Sequence, residues 1–186
     1  CPRINKHFSV LKKNFPTYHN APVTGRGNMN SKICIVGLAP GLHGANKTGE
    51  TFTGDFCSNI LNTSLQQSNL CHSNQFYLTN ALKCLPPCNK PLSSEIKQCS
   101  AYLSNELSFM KNLKVIIALG SIAHTSVLKS LQISLKSYKF SHSSIHNLGN
   151  IHMIDSYHCS RININTKKLT VNMLNMVFDQ AKKYLN

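Results

Sequence analysis

The sequence predicts an α/β fold built on a mainly parallel sheet of four strands, with helices on both faces. Three observations carry that prediction. Four short apolar runs, at 32–38, 75–82, 114–119 and 151–157, each have the length of one buried strand. The segments between them place apolar residues at helical spacing, so strands and helices alternate along the chain. Each run is close to continuously apolar, the pattern of strands covered on both sides.

Taken in order, residues 1–31 are basic and interrupted by Pro2, Pro16, Pro22, Gly25 and Gly27, and are expected to be irregular. Lys32–Leu38 (KICIVGL) forms the first strand, with Cys34 as a small core residue, and Ala39, Pro40 and Gly41 end it. A glycine-rich loop runs to Asp55. Phe56, Ile60, Leu61 and Leu65 mark a helix over 56–68. Gln75–Leu82 (QFYLTNAL) forms the second strand, and the turn CLPPCNKP follows at 84–91. Ser93 is expected to cap a long helix whose stripe is Ile96, Cys99, Leu103, Leu107 and Met110. Lys114–Leu119 (KVIIAL) is the third strand, followed by Gly120 and a helix over 121–131. Residues 132–149, rich in Ser, Lys and His, read as a surface loop or an extra strand. Ile151–Tyr157 is the fourth strand. A closing helix over 169–185 places Leu174, Val177, Phe178, Ala181 and Leu185 on one face.

At 186 residues the chain fits one domain, residues 1–186, large enough to hold a core without a disulfide scaffold. It carries 20 Lys and Arg against 6 Asp and Glu, a formal charge of +14. Seventeen of the cations are Lys and 21 residues are Asn, which points to an A/T-rich coding bias. Such a bias explains Lys in place of Arg but not the missing carboxylates. The excess therefore points to a polyanionic partner, nucleic acid first. The six carboxylates are Glu50, Asp55, Glu95, Glu106, Asp155 and Asp179. So few nearly exclude a paired-carboxylate glycosidase or a carboxylate-rich Ca²⁺ site. Eight cysteines occur with no secretory apolar segment and no membrane-spanning run. A cytoplasmic, monomeric protein with no membrane association is expected, its cysteines serving metal binding or catalysis more readily than disulfides.

In a parallel sheet the ligand lies outside the carboxyl ends of the strands. The segments that follow those ends are 39–55, 80–91, 120–124 and 157–170, and the unusual residues collect there. The first suggests a phosphate loop, but the match fails. Asn46 stands where the second glycine of G-x-x-x-x-G-K-[ST] belongs, and Gly49 and Gly54 interrupt any helix that would follow.

Four segments carry a better account: GLAPGLHGANKTGETFTGD at 37–55, TNALKCLPPCNKP at 79–91, ALGSIA at 118–123 and SYHCSRININTKKLT at 156–170. In order and approximate spacing they resemble the uracil-DNA glycosylase superfamily, and within it the type 5 family, across essentially the whole chain. The resemblance implies a three-layer α/β/α sandwich, an iron–sulfur cluster, and removal of uracil from DNA with an abasic site left behind. It makes Phe52 the platform on which the base stacks and Asn80 the reader of its edge. His158 becomes the donor to uracil O2 as negative charge grows there. Backbone N–H groups of the Gly37, Ala39 and Gly41 segment support the same oxygen. Asp55 orients water or stabilises the sugar cation, and its place before a helix also makes it a good N-cap, where the helix dipole keeps a carboxylate ionised. Lys47, Lys90, Lys167 and Lys168 are expected phosphate contacts, and Arg161 a wedge or phosphate clamp.

The resemblance also makes Cys1, Cys84 and Cys99 ligands of a [4Fe–4S] cluster, with the fourth cysteine three residues upstream of Cys1. The chain departs from the family in three places. Cys159 stands where Pro is usual, Glu50 where an apolar or basic residue is usual, and Lys167 where Gly is common. The competing expectation is a non-catalytic iron–sulfur protein that binds nucleic acid on the same fold.

Overall fold

A computed structural model describes residues 1–70 and 74–185; Cys71 lies outside the described residues. Its sheet has six strands in the order β1-β3-β2-β4-β6-β5. These are β1 (Arg26–Gly27), β2 (Ile33–Gly37), β3 (Tyr77–Asn80), β4 (Val115–Leu119), β5 (Ile145–Asn147) and β6 (His152–Ser156). The central four, β3-β2-β4-β6, are the four strands expected from the apolar runs, and every pairing among them is parallel. The expected count of four strands is corrected to six by short antiparallel strands at both edges. β1 pairs with β3 and β5 with β6. Neither edge strand has an apolar run; backbone pairing alone defines them.

Among the described residues seven α-helices complete the fold: α1 (Pro2–Asn14), α2 (Ala45–Thr48), α3 (Phe56–Gln67), α4 (Ser93–Phe109), α5 (Ser121–Ser130), α6 (Arg161–Asn165) and α7 (Val171–Lys182). The period-2 alternation of a strand sorts side chains between the two helical layers. Ile33, Ile35, Leu78, Val115, Ile117 and Ile154 meet Leu61 and Leu65 of α3 and Leu174, Val177, Phe178 and Ala181 of α7. Cys34, Val36, Tyr77, Ile116, Ala118 and Met153 face Leu103 and Leu107 of α4 and Ala123, Val127 and Leu128 of α5. Both faces of the sheet are thus covered, giving three layers. Each aliphatic side chain so buried contributes about 1.5–3 kcal/mol of transfer free energy.

Residues 1–31 are not irregular throughout. Residues 2–14 form α1, because Pro2 stands at its start, where a missing N–H costs nothing. Ile4, Phe8 and Leu11 line its buried face and pack on Ala81, Leu82 and Leu85. Ser93 does not cap α4 but is its first helical residue. The Glu95 carboxylate takes over that end, accepting from Leu92 N at 2.8 Å. The same carboxylate accepts from Arg3 Nε at 2.8 Å and from Arg3 Nη2 at 2.7 Å, which ties α1 to the start of α4. The Arg3 guanidinium holds the Glu95 carboxyl below its ordinary range.

Candidate active site

Strands β2 and β3 run side by side, with Gly37 in register with Asn80. A Cβ at Gly37 would lie 2.5 Å from Asn80 Oδ1 and 2.6 Å from the Phe52 ring. Only glycine lets the amide and the ring meet across this strand end. Phe52 is buried and takes φ 55°, a left-handed conformation that costs a non-glycine residue about 1–2 kcal/mol. Packing over Gly37 offsets that strain and turns the ring into the site.

Asn80 is itself supported from behind. Lys83 Nζ donates to the Asn80 carbonyl at 2.9 Å, to Thr79 Oγ1 at 2.6 Å and to Glu106 Oε2 at 2.6 Å. Thr79 Oγ1 donates to the same Glu106 oxygen at 2.7 Å. The Lys83 and Glu106 side chains are 8% and 16% exposed, so their charges are paired with little water to screen them.

Asp55 caps α3, as its position in the sequence suggested. Its Oδ1 accepts from Ser58 N at 2.8 Å, while Asp55 N donates to Ser58 Oγ at 2.9 Å, a reciprocal capping box. Among the described residues Oδ2 has no hydrogen bond. A Cβ on Gly41 would come within 2.7 Å of it, so the glycine leaves room for this oxygen at the cavity wall.

His158 follows β6 on a loop held by Asn163, whose Nδ2 donates to the His158 carbonyl at 2.8 Å. Burial pushes its imidazole pKa down, and the charge of Asp55 acts the other way without reversing it. The ring is therefore neutral at pH 7 and has one N–H to give. Its Nε2 stands 3.9 Å from Cys57 Sγ.

These elements enclose a cavity of about 370 Å³ at the carboxyl ends of β2, β3 and β6. Ala39, Gly41, Phe52, Asp55, Asn80, His158 and Arg161 all line it. Gly37 lies beneath Phe52 and Asn80. Arg161 opens α6 with its guanidinium 4.8 Å from the Phe56 ring centre, a cation–π contact at the cavity wall. The four lysines are exposed outside the wall: Lys47 on α2, Lys90 beside the lining residue Asn89, and Lys167 and Lys168 after α6. Lys168 Nζ lies 4.9 Å from the Tyr157 ring centre.

Within that geometry the comparisons with known proteins are decisive. The model of the uracil DNA glycosylase superfamily matches residues 24–182. This chain belongs to the uracil DNA glycosylase superfamily. Among its relatives, the type-5 uracil-DNA glycosylase of Thermus thermophilus is 35% identical over 200 residues, covering 98% of this chain and 91% of that protein. The type-5 uracil-DNA glycosylase of Pyrobaculum aerophilum is 34% identical over 197 residues, covering 97% and 86%. The type-4 uracil-DNA glycosylase of Thermotoga maritima is 31% identical over 139 residues, covering 74% and 69%.

In this uracil DNA glycosylase superfamily member, two of the residues singled out in the sequence have clear structural settings. Cys159 is fully buried in the α3/α7 core, and Lys167 has φ 56°, the conformation in which glycine is at ease. Sequence reading missed the cavity residues Cys57, Asn89 and Ser160, and the Lys83–Glu106 support of Asn80. Lys83 four residues after Thr79, inside an apolar segment, was the one available signal for that support.

The three cysteines expected to hold a cluster lie away from the cavity, around the α1 core. Cys1, Cys84 and Cys99 all pack against the group formed by Ile4, Phe8, Leu82 and Leu85. Cys99 Sγ accepts from Lys83 N at 3.3 Å, and Cys1 Sγ donates to Gln98 Oε1 at 2.9 Å, next to Cys99 on α4. Burial, with the neighbouring Cys99, pushes the Cys84 thiol up to about 11. The thiolates of a four-iron cluster bind different irons and so stand farther apart than the ligands of one ion. Three soft donors in an apolar shell, with an N–H already directed at one sulfur, fit such a group.

Proposed function

We propose that this chain is a DNA repair glycosylase that flips uracil out of the DNA stack and hydrolyses its N-glycosidic bond, leaving an abasic site. The observation that carries this reading is the joining, in one cavity of about 370 Å³, of Phe52, Asp55, Asn80 and His158 from three separate loops. That volume suits a single base. The superfamily match and the names of the relatives support the reaction class, and they do not favour the non-catalytic alternative.

In this reading the extruded base stacks on Phe52. The Asn80 amide oxygen accepts from uracil N3–H and its NH₂ donates to O4. Cytosine reverses both groups, and two unpaired buried partners supply roughly 2–6 kcal/mol of discrimination. Lys83 fixes the Asn80 backbone while the side chain reads. As the bond to C1′ breaks, the pair of electrons leaves with the base, and charge collects on O2. The neutral His158 donates its Nε2 proton in a hydrogen bond to that oxygen, with backbone N–H groups of the Gly37, Ala39 and Gly41 segment alongside. Asp55 keeps Oδ1 on its cap and directs Oδ2 at the incoming water or the sugar cation. Water adds to C1′, and its proton passes to solvent or base.

Lys47, Lys90, Lys167 and Lys168 grip phosphates, and Arg161 serves as wedge or clamp where the duplex opens. Cys1, Cys84 and Cys99 would hold a [4Fe–4S] cluster together with a fourth ligand, and the cluster would tie the start of α1 to α4. The protein acts as one domain, 1–186, monomeric and cytoplasmic. No helix among the described residues is long and apolar enough to cross a membrane.

Incubation of the cluster-loaded protein with a uracil-containing oligonucleotide, followed by alkaline strand cleavage, tests the reading. Cleavage at uracil but not at cytosine is expected, with a sharp loss in Asn80→Ala. Absence of cleavage by the loaded protein overturns it.

A further inference from the structure

Beside the cavity stands a second group of soft donors, distinct from the cysteines around α1. Cys57 Sγ, a ring nitrogen of His158 and Cys159 Sγ all lie within 4.8 Å of one another, and Nε2 is the His158 nitrogen that faces Cys57 Sγ. None of these thiols is in a disulfide. We propose that Cys57, His158 and Cys159 form a binding site for a thiophilic divalent cation, zinc in the first place, and that zinc bound there inhibits the enzyme.

The geometry is close to what the ion needs. A tetrahedral zinc places a sulfur and a nitrogen ligand about 3.6 Å apart and two sulfurs about 3.8 Å apart. Cys57 Sγ and His158 Nε2 already stand 3.9 Å apart, a few tenths of an ångström from that spacing, and Cys159 Sγ lies within 4.8 Å of both residues' ligand atoms, so a shift of at most about 1 Å closes the site. The donor set, two thiols and an imidazole, selects zinc over magnesium or calcium, which prefer oxygen. Access comes from the cavity, because Cys57 and His158 line it while Cys159 sits in the core behind them. Three protein ligands leave the fourth position to water from the cavity. Binding expels the two thiol protons to solvent, so it strengthens as pH rises. The contact with Cys159, followed by burial, raises the Cys57 thiol, which makes that proton cost larger.

Inhibition follows from which nitrogen is taken. Zinc on His158 Nε2 removes the proton that the proposed mechanism gives to uracil O2. The binding half of the inference stands on the three side chains alone; the inhibitory half rests on the glycosylase reading.

The test uses cluster-loaded protein equilibrated with zinc chloride and dialysed, with zinc content and uracil excision measured on the same samples. Wild type is expected to retain one zinc more per chain than Cys159→Ala or Cys57→Ala, the second variant standing in should the buried alanine at 159 unfold the protein. Excision by wild type should fall as zinc is added and return with a chelator. Each variant, compared with its own zinc-free rate, should need about tenfold more zinc or greater for the same loss. Equal zinc retention by wild type and both variants overturns the site. Retention at the site with undiminished excision overturns the inhibition. No excision by zinc-free wild type overturns the glycosylase reading while leaving the zinc site to the retention measurement.

Discussion

Asp55 and Asp155 each lie near a histidine, and the fold treats them in opposite ways. Asp155, on β6, is fully buried and spends both oxygens on imidazoles. His124 Nδ1 lies 2.8 Å from Oδ1, and His146 Nε2 lies 2.8 Å from Oδ2. His124 Nε2 also stands 3.1 Å from the Tyr138 carbonyl, so both of its ring nitrogens face acceptors. Such a setting favours the doubly protonated ring. Burial works against the charge on His124, but the hydrogen bond and charge of Asp155 prevail and its pKa is raised. At the cavity, Asp55 spends one oxygen on the α3 cap and leaves the other free of hydrogen bonds among the described residues. Among the described residues His158 makes no carboxylate hydrogen bond, and burial lowers its pKa. Asp155 and His158 are three positions apart in the chain. The comparison teaches that burial alone does not set a histidine's charge; a saturated carboxylate partner builds structure, and an unsaturated one leaves chemistry available.

The largest effect that can break this comparison is on the structural side. Asp155→Ala should destabilise the fold by about 3–5 kcal/mol in urea unfolding, because it leaves the buried His124 and the partly buried His146 without their shared carboxylate. A loss near zero would remove Asp155 from the core's polar framework. On the catalytic side, His158→Ala should lower the single-turnover excision rate by about 100- to 1,000-fold, the scale of one lost donor to a developing oxyanion. Its unfolding free energy should move far less than that of the Asp155 variant.

A finer cut is Asp55→Asn. Asn caps a helix about as well as Asp, so stability should change by about 0.5 kcal/mol or less while the rate falls by about tenfold or more. Full activity in that variant would leave Asp55 with only its cap. The smallest effects are in the titrations. By NMR, the His158 ring should titrate below the ordinary value of about 6.5 and the His124 ring above it. The signs for stability are opposite. His158 in the folded state binds its proton less readily than in the unfolded chain, so its contribution is lost as pH falls from about 6.5 through its lowered pKa. His124 binds more readily, so its contribution is full below about 6.5 and is lost as pH rises through its raised pKa. Two midpoints on the same side of 6.5 would dissolve the contrast.

Much of this was legible in the residues. The four central strands follow from apolar runs, because a strand buried on both faces has no choice but continuous hydrophobicity. Asp55 as a cap follows from its place before Phe56, Ile60 and Leu61. The edge strand Arg26–Gly27 did not show, and Ile145–Asn147 showed only as the extra strand left open for 132–149, since both owe their conformation to β3 and β6. Helix α1 was hidden by Pro2, which ends a helix when internal but begins one here. Asp155 read only as one of six carboxylates, at the fourth strand, because nothing in a linear sequence brings His124 and His146 to its two oxygens. Lys83 and Glu106 read as ordinary charges for the same reason.

By itself, then, the sequence determined the alternation of strands and helices, the basic surface, and the loops at which chemistry collects, all of which depend on residue type and local spacing. Only the tertiary structure decided which groups share an environment. It placed Gly37 under Phe52 and Asn80, left Asp55 Oδ2 open while closing both oxygens of Asp155, and set Cys57 against His158. Proton affinity, hydrogen-bond saturation and metal geometry are set over a few ångströms in space, and residues brought that close can be a hundred positions apart in the chain.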